Sequence, residues 1–102
     1  MRIQDIHWHD SIILGVTLLP EDDTLQLRLS YVEDWDNDMY ADRTVLFADA
    51  YGYKEFEGPF AGCPTILGAD IVGHHGEWKL LRIDTNAGHR ELFFKEVELL
   101  EP

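Results

Sequence analysis

Residues 11–33, SIILGVTLLPEDDTLQLRLSYVE, constrain the fold more than any other stretch. In the second arm Leu25, Leu27, Leu29 and Tyr31 alternate with Gln26, Arg28, Ser30 and Val32. A period of two sets one apolar row on a core and one mostly polar row toward water, the signature of a strand rather than a helix. The first arm carries Ile12, Leu14, Val16 and Leu18 on one side and Ile13, Gly15, Thr17 and Leu19 on the other. Neither side is polar, so this arm is expected to be central in its sheet or covered by another layer. Pro20-Glu21-Asp22-Asp23 between the arms would interrupt a ladder and favours a turn. The stretch is therefore a β-hairpin.

Further strands are expected along the rest of the chain. Residues 1–10 predict an edge strand or extended lead-in, and 43–53 a strand with Val45 and Phe47 facing one way, joined by Tyr51 if the strand runs on past Ala50. The glycines and prolines of 55–64 predict irregular chain whose Phe56 and Phe60 plug one end of the core. Residues 65–72 resume strand character, Gly73-His74-His75-Gly76 predicts a tight turn, and 77–85 the strand that pairs back. After a turn at Asn86-Ala87-Gly88, residues 90–100 fit a strand better than a helix. The sum is a single all-β domain, an antiparallel sandwich or partly open barrel of six to seven strands.

With 102 residues the chain is long enough for one core. Its apolar runs fall short of the roughly 20 residues that a membrane span needs. No basic segment leads into a long apolar one after Met1, so no secretory signal is expected. The lone cysteine, Cys63, excludes an intrachain disulfide. A reducing, cytoplasmic setting is the expectation. Twenty acids oppose eight bases, for a net charge of −12, and the bases are scattered singly. Such a surface repels phosphate backbones, which argues against nucleic-acid binding, and speeds encounter with basic partners.

No stretch announces a chemistry. His7 and His9 would share a face on a strand, but a catalytic metal needs a third ligand from His74, His75 or His89, and no motif supplies it. A pocket or metal site built from these histidines, enzymatic or not, is the alternative reading. The string Asp34, Asp36, Asp38 lacks the glycine and glutamate of an EF-hand, with Met39 and Val45 in their places. Cys63 lacks a cysteine–histidine signature, which points to a buried or unreactive thiol. The Gly52, Gly58, Gly62 spacing is not that of a phosphate loop.

The sharpest local feature is EDWDNDMYAD, residues 33–42, which the lack of β-branched residues predicts to be a loop. It places Trp35 and Tyr40 among Glu33, Asp34, Asp36, Asp38 and Asp42, with no base between them. Aromatic anchors inside an acidic rim suit a basic protein partner. The competing expectation is that both rings fold back and cap the core. No catalytic residue, cofactor or metal is assigned. A homodimer through a free strand edge is a further expectation.

The His9-Asp10-Ser11 lead into an alternating strand, the acidic turn, the LxLxL strand and the later Val45-Leu46-Phe47 together resemble a group of small bacterial all-β proteins, several of them similar to immunity proteins of toxin systems. The resemblance spans the first half of the chain. It implies a non-enzymatic binding role that neutralises a toxin by capping its active site.

Overall fold

The structure, a computed structural model, describes residues 1–101. Eight strands form: β1 (Ile12–Leu19), β2 (Thr24–Asp34), β3 (Met39–Ala48), β4 (Tyr51–Glu57), β5 (Ile66–His75), β6 (Trp78–Thr85), β7 (Gly88–Phe94) and β8 (Glu96–Leu100). They make two four-stranded sheets, ordered β1-β2-β3-β8 and β4-β7-β6-β5, with every pairing antiparallel. The sheets do not close into a barrel, so of the two expected forms the two-sheet one holds, with eight strands in place of six to seven.

The alternation of β2 does what its sequence demands. Leu25, Leu27 and Leu29 are buried beside Val45, Phe47 and Val97 of the same sheet, and they share one cluster with Ile66, Leu81, Ile83, Leu92 and Phe94 of the other. Phe47 meets Phe94 edge-on across the layers, with centroids 5.2 Å apart. Full burial of side chains this size contributes about 1.5–3 kcal/mol each, and this shared layer is where the fold gets its cohesion.

Residues 1–10 form no strand. A 3₁₀ turn at Ile3–Asp5 leads into irregular chain that buries Ile3, Ile6 and Trp8 in the common core. The Trp8 indole Nε1 donates to Ile3 O at 2.9 Å, which meets the hydrogen-bonding need of a buried tryptophan. Ser11, fully buried, donates to His7 O at 2.8 Å and accepts from Val32 N at 3.1 Å. The segment is thereby fixed along one open side of the two sheets. Backbone bonds from Ile66 N to Ser11 O (2.8 Å) and Ile13 N to Pro64 O (2.9 Å) lace the sheets together there.

At one end the chain passes from sheet to sheet twice. β3 hands over to β4 through Asp49-Ala50, with Asp49 left-handed at φ 53, and β7 hands over to β8 through Lys95. Lys95 N donates to Ala48 O at 3.1 Å, tying the two crossings to each other. Trp78 braces them: its Nε1 donates to Asp49 O at 2.9 Å, and Lys95 Nζ lies 4.2 Å from the ring centroid.

Several expectations need correction. β1 is an edge strand, not a central one: a bulge between Ile13 and Gly15 turns Leu14 outward, and Leu18 is 56% exposed. Residues 33–42 are mostly strand, because β2 and β3 continue to a turn of only 35–38. Tyr51 belongs to the strand after the crossing and is exposed, not aligned with Val45 and Phe47. Phe56 and Phe60 are exposed and plug nothing, and β4 takes the first residues of the expected irregular stretch. His74 and His75 end β5, so the turn is Gly76-Glu77, where Gly76 supplies the positive φ of 60. Residues 90–100 form parts of two strands in different sheets, divided at Lys95.

Candidate functional site

The acidic segment is the far end of the β2–β3 hairpin. Asp34 builds its turn: one carboxylate oxygen accepts from Asp36 N at 3.0 Å and the other from Asn37 Nδ2 at 2.6 Å. The Asn37 bond foremost, with the backbone N–H bonds, holds the Asp34 carboxyl below its ordinary range. Asp38 takes φ 51, a left-handed conformation that Asp tolerates better than most residues.

The five acids here differ in role. Glu33 pairs with Arg43. Asp42 takes a forked contact from Arg28, whose Nε and Nη2 each lie 3.0 Å from a carboxylate oxygen, and this lowers its pKa. Asp34 is spent on the turn. Among the described residues, Asp36 and Asp38 have no base within ion-pair distance. Both are exposed.

The aromatic residues do not cap the core. Trp35 and Tyr40 are 45% and 47% exposed, and Met39 beside them is 56% exposed. Trp35 is nevertheless held in place. Its ring tilts over His7 with centroids 4.4 Å apart, and its Nε1 donates to His9 O at 3.2 Å. His7 is itself fixed between Trp35 and Tyr31, with Nδ1 3.1 Å from Val32 O and its backbone N donating to the Tyr31 hydroxyl at 2.9 Å. The expected partner-binding residues Glu33, Asp34, Trp35, Asp36, Asp38, Tyr40 and Asp42 thus lie on one hairpin end; Glu33, Asp34 and Asp42 are engaged in contacts within it, Trp35 is exposed but held, and Asp36, Asp38 and Tyr40 are exposed.

Sequence reasoning missed Met39 as a third exposed apolar side chain, His7 as the platform under Trp35, and Arg28 and Arg43 as neutralisers. Met39 stands next to Tyr40 in the acidic run and was visible there; the arginines could be assigned only once strand register was known.

The histidines do not converge. His7 lies under Trp35, His9 faces Leu67 O and Asp10, His75 meets Phe93, and His89 stacks on Phe56 at 4.7 Å. His74 is level with Lys79 at the end of β5. Among the described residues no three His, Cys, Asp or Glu are placed to hold a metal ion.

A second polar constellation went unforeseen. Arg90, only 7% exposed, occupies an inward position of β7 and takes Glu57 in a forked pair, Nε to Oε2 and Nη2 to Oε1, both 2.9 Å. The Tyr53 hydroxyl accepts from Arg90 Nη1 at 3.1 Å and donates to Glu55 at 2.6 Å. Thr85 Oγ1 donates to Glu57 at 3.1 Å. With its donors satisfied in this way, Arg90 is a structural cation. Cys63 is exposed rather than buried, at the rim of the shallow cleft above it.

No helix among the described residues is long and apolar enough to cross a membrane. No protein-family model matches the chain, and no curated protein matches it.

Proposed function

We propose that this protein is a non-enzymatic binding module that presents the β2–β3 hairpin end to a basic protein partner. One observation carries the reading: Trp35, Met39 and Tyr40 stand exposed beside Asp36 and Asp38, two exposed acids that have no base within ion-pair distance among the described residues and are not used by the turn as Asp34 is. The rings supply apolar contact area and the carboxylates steer approach and select against acidic surfaces. Toxin neutralisation, the role implied by the resemblance of the first half of the chain, is one form of this reading. A toxin acting on a polyanion would offer a basic concave surface that such an end could cover. A homodimer through a strand edge is the weaker alternative, because bulges interrupt β1, β4 and β5 and β8 is only five residues long.

The test compares the wild type with Asp36→Asn/Asp38→Asn and with Trp35→Ala in affinity capture from native extract, at low and high salt. Asn is compatible with the left-handed backbone at position 38, so the charge change leaves the turn intact. A basic protein held by the wild type at low salt, released at high salt and lost from both variants is the expected result. With the purified partner, the double variant should associate about tenfold more slowly and with a flatter salt dependence. Recovery of the bait alone, or equal capture by all three proteins, would overturn the proposal.

A further inference from the structure

In a chain of net charge −12, one cavity has bases and no acids among the side chains that line it. It measures about 340 Å³, at the lower end of the size range of small-molecule sites. Its floor is apolar: Ile3 from the N-terminal turn, Ile71 of β5, Phe94 of β7 and Val97 of β8. Arg2, His74, Lys79 and Lys95 supply its charged and titratable side chains, with Met1 and Gln4 beside them, and no carboxylate lines it.

These bases are not equivalent. Arg2 pairs with Asp5 and Lys95 with Glu77. Lys79 has no carboxylate within ion-pair distance among the described residues; its Nζ donates to Lys95 O at 3.3 Å and lies 5.6 Å from the Phe94 ring centroid. In register, His74, Lys79 and Phe94 form one cross-strand row. Leu81 and Ile83, also on β6, share the face of this row and are buried. The alternation of β6 therefore sets on its core-side face, at the exposed start of the strand, a cation with no carboxylate within ion-pair distance among the described residues.

We propose that this cavity binds a small monocarboxylate with an apolar body, its carboxylate on Lys79 and His74 and its hydrocarbon against Ile71, Phe94 and Val97. Lys79 is the one side-chain ammonium of the lining without an acid partner among the described residues, which matches one anionic charge, and a single lysine lacks the several converging donors that a phosphate recruits. The site does not depend on the hairpin-end reading: Val97 pairs with Phe47, eight residues along β3 from Met39, or roughly 26 Å of strand.

The test titrates the full chain with decanoate, followed by amide chemical shifts, with decanol and decyltrimethylammonium as uncharged and cationic controls. Lys79 is exposed, so Lys79→Gln should keep the native spectrum. Saturable decanoate binding is expected, with shifts centred on Ile71, His74, Phe94 and Val97. The two controls should bind more weakly, and Lys79→Gln should lose about tenfold in affinity, as for one charge-assisted contact. No saturable decanoate binding, equal binding of decanol, an unchanged affinity in Lys79→Gln, or shifts centred elsewhere would each overturn the proposal.

Discussion

Arg90 sits where the alternation of its strand, with Leu92 and Phe94 on the same face, would otherwise place an apolar side chain. Its charge is tolerated because Glu57, itself little exposed, meets it in a forked pair and Tyr53 takes a third donor. Removing one member of a mostly buried pair strands the other, so Glu57→Gln should cost about 3 kcal/mol in urea unfolding, while Glu57→Leu/Arg90→Met should cost less than either single change. The same pair sets a pH dependence. Hydrogen bonds from Arg90 hold the Glu57 carboxyl below its ordinary 4.5. The folded state then binds its proton less readily than the unfolded one, so the contribution is complete above pH 4.5 and is lost as pH falls through the lower folded value. Acid unfolding of Glu57→Gln should show a correspondingly shallower loss of stability below that point. Nothing in the local sequence distinguished Arg90 from a solvent-facing base, since its partners lie 33 and 37 residues away. By contrast, Trp35 and Tyr40 stand out in the sequence as rings within an acidic run, but whether they face water is decided by the fold, which sets His7 under Trp35 and pairs Tyr40 with Val32 on the neighbouring strand.

Strands are the level at which the sequence was most and least informative. Leu25, Leu27, Leu29 and Tyr31 predicted β2 because a strand buried on one face leaves a strict alternation. β1 misled because the bulge at Leu14 and its edge position leave apolar residues exposed, which a chain reads as two covered faces. The acids of 33–42 masked the outer part of the hairpin: outward carboxylates are acceptable in a strand when Arg28 and Arg43 neutralise them on the neighbouring strand. The pairing of β4 with β7 depends on one glycine. Gly88 takes φ 148, and a Cβ there would overlap the Phe56 carbonyl oxygen on the neighbouring strand. Backbone would have to move on both strands, so Gly88→Ala should lower stability by at least about 2 kcal/mol, read from the urea midpoint at unchanged slope.

For the molecule as a whole, the acid excess is unevenly answered. The free carboxylates of the hairpin end lie at one extreme of β3, and the cation-lined cavity at the other. This division was beyond the sequence, because the bases that line the cavity are separated by up to 93 residues and are gathered only by the N-terminal turn, β5, β6 and the Lys95 crossing. The crossings at Asp49-Ala50 and Lys95 have an outcome of their own. β3–β4 and β7–β8 each run through both layers and pair with one another on either side, so neither layer can open while the other keeps its full ladder. The two sheets should then behave as one cooperative unit. In native-state hydrogen exchange, the amides of Leu27 and Val45 in one layer and of Leu81 and Leu92 in the other should share a single slowest opening free energy, and that value should equal the global unfolding free energy.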